Sequence, residues 1–119
     1  MQYQKGDIVW VEIAQRDREK LRHPAIVWDD EFDGKNDFLG IMLTHSSRFR
    51  GNVLMNKEHF VEDNEVVFNN THFVDQLFVK FMDWGPFYKA GKLSTNGIDF
   101  ISDNLTNTST ISFSDYISI

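Results

Sequence analysis

The chain has 119 residues, 41% hydrophobic and 14% aromatic, with a formal charge of −6 at pH 7. That length and apolar content support one domain with a buried core and exclude a disordered chain. The absence of cysteine excludes disulfides, thiol catalysis and cysteine-ligated zinc, and the acidic balance excludes a long duplex-binding face.

Met1–Lys5 leads straight into an amphipathic segment, unlike a signal peptide. No apolar run approaches the roughly 20 residues needed to cross a bilayer. A cytoplasmic chain without membrane contact is expected, so the Asn-x-Ser/Thr triplets at Asn69, Asn104 and Asn107 carry no secretory meaning. The first strand is predicted where Ile8, Trp10 and Glu12 alternate with Val9, Val11 and Ile13, apolar on both faces near its centre and therefore central in its sheet. Gln15–Leu21 is a polar loop or single helical turn. Pro24 biases His23 toward extended geometry and fits a strand start, with Ala25–Trp28 continuing as a buried strand.

Asp29–Asn36 is predicted as an acidic hairpin loop around Asp33-Gly34, followed by a strand over Phe38–Thr44 and a polar connection over His45–Gly51. Asn52–Val61 holds one or two short strands, and Glu62–Asn70 is a charged, amide-rich link. His72–Met82 alternates well enough for one long strand. Gly85-Pro86 breaks it, and Phe87–Leu93 is a further strand. Ser94 is predicted to cap a short helix that runs to about Asn104, with Ile98 and Ile101 at helical spacing. Thr106–Ile119 is an edge strand or a partly ordered tail. No internal repeat or second domain is visible, so residues 1–119 form a single domain. The expectation is a mainly β (α+β) chain folded as a small, strongly bent antiparallel β-barrel with a short C-terminal helix.

The polar residues cluster at two strand ends. Arg16, Arg18, Lys20 and Arg22 outnumber Asp17 and Glu19, Arg48 and Arg50 form a second basic pair, and no Lys or Arg follows Lys92. A local phosphate site on an acidic protein is therefore allowed. If the strands holding Arg22–Trp28 and Phe38–Thr44 are antiparallel neighbours, the start of one lies beside the end of the other, with His23 next to Thr44. Arg22, His23, Thr44, His45, Ser46, Ser47 and Arg48 would then converge. Metal-free RNA cleavage needs a base for the 2′-hydroxyl, an acid for the 5′-oxygen, and stabilisation of a charged phosphorane. Histidine suits the first two tasks and arginine the third, while a threonine hydroxyl holds a phosphate oxygen without titrating.

The order Gly6-Asp7-Ile8, then His23-Pro24-Ala25-Ile26-Val27, then a strand ending in Thr44-His45-Ser46 resembles the opening of the MazF/PemK toxin family. Asp75-Gln76 within His72–Lys80 stands where the family has Glu-Gln-Ile-Arg, and Lys92-Leu93-Ser94 resembles the Arg-Leu that leads into its C-terminal helix. The resemblance covers roughly residues 5–104 and is weak between 50 and 70. It implies an SH3-like barrel, a homodimer, and a sequence-specific endoribonuclease that uses no metal or cofactor. Such a toxin cuts single-stranded RNA and is silenced by a cognate antitoxin protein. Thr44 matches the family's catalytic threonine, and Gly6 and Asp7 its strand-start turn. The family's catalytic arginine falls on His23. Three readings follow: Arg22 supplies the guanidinium from one position earlier, His23 does both proton and phosphate work, or the site is dead.

Arg16, Arg18 and Lys20 would form the flap over the substrate groove, with His45, Ser47 and Arg48 beside it. Trp84, on a loop, is a base-stacking candidate, whereas Trp10 and Trp28 sit mid-strand as core. Asp29–Gly40 has acidic residues near calcium-loop offsets, but Gly40 stands where a bidentate Glu is needed. The four histidines lack zinc-ligand spacing, so no metal is expected. The competing functional class is a catalytically inactive SH3-like barrel that binds a protein or peptide partner, which the acidic charge and the missing arginine favour.

Overall fold

Three consecutive strands form the middle of the molecule: β1 (Asp7–Ile13), β2 (Leu21–Asp29) and β3 (Asp37–Thr44). The computed structural model describes residues 3–13, 21–29, 37–45, 51–61, 68, 70–81 and 88–112. Ile8 and Val9 are both fully buried, as are Ala25, Ile26 and Val27. Because successive strand residues point to opposite faces, these strands are covered on both sides. Alternation sorts their apolar side chains into two cores. One gathers Ile8, Ile26, Leu39, Ile41 and Leu43; the other gathers Val9, Ala25, Val27, Phe38 and Met42. Each fully buried Ile, Val or Phe contributes about 1.5–3 kcal/mol of transfer free energy.

The remaining elements are β4 (Val53–Leu54), a 3-10 turn at Lys57–His59, β5 (His72–Phe73), β6 (Leu77–Phe81), β7 (Tyr88–Lys92), α1 (Thr95–Asn104) and β8 (Thr110–Ser112). The sheet order is β4-β5-β3-β2-β1-β7, with β6 also on β3 and β8 on β6. One edge of β3 is shared: Asp37–Gly40 pair with β6, and Leu43 and Thr44 pair with β5. Register shifts between Ile8 and Val9 against β7, and between Val27 and Asp29 against β3, are irregularities of the kind that bend a sheet. All strand pairs are antiparallel except β6 with β8. The result, among the described residues, is the mainly β architecture with one short late helix that the sequence predicts. Among the described residues, no helix is long and apolar enough to cross a membrane.

The helix closes one core. Ser94 Oγ accepts the Gly97 N–H at 3.1 Å, the predicted cap, and donates to the Glu58 carbonyl at 2.7 Å. Phe100 of α1 stacks on His59 at 4.2 Å, and Ile101 is fully buried.

Two expectations change, over β2 and over His72–Met82, whereas Asn52–Val61 and the C-terminal stretch follow the sequence reading. Strand β2 starts at Leu21, so Pro24 lies inside it rather than at its start. The long strand over His72–Met82 divides into β5 and β6, because the Asp75 and Gln76 side chains bind the segment after α1. Asp75 accepts the N–H groups of Thr106 and Asn107 at 2.8 and 3.0 Å. Gln76 Nε2 donates to the Ser109 carbonyl at 2.6 Å. Asn52–Val61 holds one two-residue strand and a 3-10 turn. Of the C-terminal stretch, Thr110–Ser112 forms the edge strand, parallel to β6. The loop expected over Gln15–Leu21, most of the acidic loop and Gly85-Pro86 lie outside the described residues.

Candidate functional site

The Asp33-Gly34 turn lies outside the described residues; the β2–β3 pair is antiparallel, as the sequence predicts. Its ladder runs from Asp29↔Leu39 to Ala25↔Met42 and stops there, although β2 continues to Leu21 and β3 to Thr44. Proline explains the stop. The Val27 carbonyl accepts from Gly6 N–H at 2.8 Å, on the β1 side. By alternation, the backbone groups that face β3 are those of Ile26 and Pro24, and proline has no N–H to donate. Two steps beyond Ala25↔Met42 along each strand are His23 and Thr44, so the register sets position 23 opposite Thr44 where the ladder has ended. On its other edge, β2 continues to pair with β1, with Val11↔His23 and Glu12↔Arg22.

The other edge of Thr44 carries a second imidazole. Thr44 pairs with His72 on β5, and His72 pairs with Leu54 on β4. One step away, Leu43, Phe73 and Val53 form the matching row, with Leu43 and Phe73 buried in the core that α1 closes. Thr44, His72 and Leu54 therefore occupy the opposite face. Thr44 and His72 are half-buried, and Leu54 is 53% exposed. His72 Nδ1 is itself buried and has no hydrogen-bond partner. An unpaired buried polar atom costs about 1–3 kcal/mol, and such atoms in folded chains call for a chemical reason.

Of the residues singled out by the sequence, position 23 comes level with Thr44 when the β2–β3 register is extended two steps past its last pair. Position 22 falls in the alternating set of Pro24 and Ile26, one step out of phase with Thr44. The side chains of Arg22 and His23 lie outside the described residues, as do Arg16, Arg18, Lys20, Ser47, Arg48 and Trp84. His45 is exposed at the bend that follows Thr44. His72 is the residue that motif reading misses. It reads as the first residue of an alternating strand, and only the long-range pairing of β3 with β5 reveals its neighbour.

Other polar groups hold the scaffold. Gly6 takes φ +95°, a conformation glycine adopts without Cβ strain, and Asp7 accepts Gln4 N–H at 2.9 Å with Lys89 Nζ at 3.4 Å. His59 is buried, and its Nδ1 accepts Asn56 N–H at 2.9 Å. Burial pushes its pKa below the ordinary imidazole value, while the nearby Glu58 charge opposes that shift. Burial acts to raise the Asp75 pKa, but hydrogen bonds from the Thr106 hydroxyl and the Asn107 and Thr106 N–H groups outweigh it and hold the carboxyl below its usual value. Among the described residues, no three His, Asp or Glu side chains gather where they could hold a metal ion. The chain matches no protein-family model and no curated protein.

Proposed function

We propose that this chain is a metal-independent endoribonuclease of the MazF/PemK type, acting on single-stranded RNA from the open end of the β2–β3 pair. The observation that carries this is the register that brings position 23 opposite Thr44 where Pro24 ends the ladder. Past that point the β2–β3 ladder has ended, so residues of both strands can approach one phosphate. Thr44 would hold a non-bridging phosphate oxygen. His23 would exchange the proton of the attacking 2′-hydroxyl or of the departing 5′-oxygen. Charge on the phosphorane would fall to Arg48, since Arg22 alternates to the other face of β2 and would reach the phosphate only around the strand end. Arg16, Arg18, Lys20, His45, Ser47 and Trp84 would contact the flanking nucleotides. A homodimer and an inhibitory antitoxin protein are the partners this function implies.

Cleavage by this route yields a 2′,3′-cyclic phosphate and a 5′-hydroxyl. The test is purified protein incubated with a randomised single-stranded RNA pool in EDTA, followed by end-group mapping. Fragments with those ends at a recurring short sequence support the proposal. RNA left intact across the pool rejects it in favour of a barrel that only binds.

A further inference from the structure

We infer that, if the chain cleaves RNA as proposed above, His72 is the second proton-transfer group of the reaction and works across Thr44 from His23. The sheet order β5-β3-β2 puts His72, Thr44 and position 23 on three neighbouring strands. Thr44 and His72 are a paired position, with strands about 4.8 Å apart, and position 23 lies on the other side of Thr44, past the end of the β2–β3 ladder. In-line displacement at phosphorus has the attacking and leaving oxygens on opposite sides. One proton acceptor and one proton donor are thus needed on opposite flanks of the group that holds the phosphate; His72 is placed to serve one flank of Thr44, and position 23 lies on the strand at the other. The imidazole beside Thr44 has its Nδ1 buried and unpaired, so the proton it exchanges with RNA would pass through Nε2.

The step balances between the two rings. One neutral imidazole takes the 2′-hydroxyl proton as the 2′-oxygen bonds to phosphorus. The P–O5′ bond breaks, and the other, protonated imidazole gives its proton to the 5′-oxygen. The two rings end with their protonation states exchanged and are reset through water. His23 alone would have to serve both sides of the phosphorus atom; with His72, the missing arginine of the resemblance matters less for proton transfer.

The test compares wild type, His72→Gln and His23→Gln on one RNA oligonucleotide, with pH–rate profiles for each. A matched substrate carries sulfur in place of the 5′-bridging oxygen, a leaving group that departs without protonation. The expected result for His72→Gln is a loss of about 10²–10⁴-fold and collapse of a two-limbed pH profile to one limb. The sulfur substrate should restore the rate of one of the two variants and not the other. Wild-type cleavage with an unchanged His72→Gln rate and profile, or sulfur rescue of neither variant, overturns the inference and leaves the ribonuclease proposal standing. No cleavage by wild type overturns both. Should His72→Gln fail to fold by circular dichroism, NMR titration of His72 in the wild-type chain decides. A limb of the wild-type profile must coincide with the measured His72 pKa, and a mismatch rejects the assignment.

Discussion

Thr44 is paired directly with His72 across the β3–β5 ladder, while their neighbours Leu43 and Phe73 form the next pair and are buried. The hydroxyl and the imidazole therefore share the face opposite the helix-closed core. Pro24 has no N–H to help carry the β2–β3 ladder toward the same place. A row of polar groups beside an interrupted ladder follows from these two facts.

Acid should weaken the fold through His59. Its Nδ1 accepts a backbone N–H and its pKa is held down by burial, so the unfolded chain binds the proton more readily than the folded one. Stability from this group is complete above the ordinary value near 6.5 and is lost as pH falls below it. Thermal melts from pH 7.5 to 5 should show a falling midpoint, and His59→Gln should flatten that fall. Equal slopes in the two proteins would assign the pH dependence elsewhere.

Gly97→Ala should destabilise, against the usual sign. Within a helix, Ala for Gly normally gains roughly 0.5–1 kcal/mol. Here a Cβ would sit 2.1 Å from the His59 carbonyl oxygen, so α1 would have to move off the 3-10 turn. A loss of about 2–3 kcal/mol in urea denaturation is expected. A stabilised variant would mean that α1 does not pack on that carbonyl.

Asp75→Asn should loosen the segment that follows α1. The carboxylate binds the Thr106 hydroxyl and the Thr106 and Asn107 N–H groups. Partly exposed charge-assisted bonds of this kind are worth about 1–2 kcal/mol together. Because the folded pKa is depressed, this contribution is present above the ordinary value near 3.8 and disappears as pH falls through the folded value. Hydrogen exchange at Thr106 and Asn107 should accelerate in the variant at pH 7. Unchanged protection there would show that the β8 pairing alone holds the segment.

The central strands are legible because Ile8–Val9, Ala25–Val27 and Ile41–Leu43 are apolar on both parities, and few environments other than a buried sheet accept that. Ser94 is legible because a hydroxyl cap acts within one helical turn. The break in His72–Phe81 is hidden because its cause lies in Thr106–Ser109, which compete for Asp75 and Gln76 from more than 30 residues away. Pro24 misleads for a related reason: it marks where a ladder ends on one edge while the strand continues on the other. At the candidate site, Thr44 and His23 can be read from one hairpin. His72 cannot, because its neighbour is set by the non-local pairing of β5 with β3.

The most direct measurement is the rate at which the purified chain cuts single-stranded RNA in EDTA, taken side by side with Thr44→Ala. The account predicts cleavage by wild type to cyclic-phosphate ends and a loss of about 10²–10³-fold in the variant, with melting temperatures within a few degrees of each other. A Thr44→Ala protein that cuts as fast as wild type would contradict it.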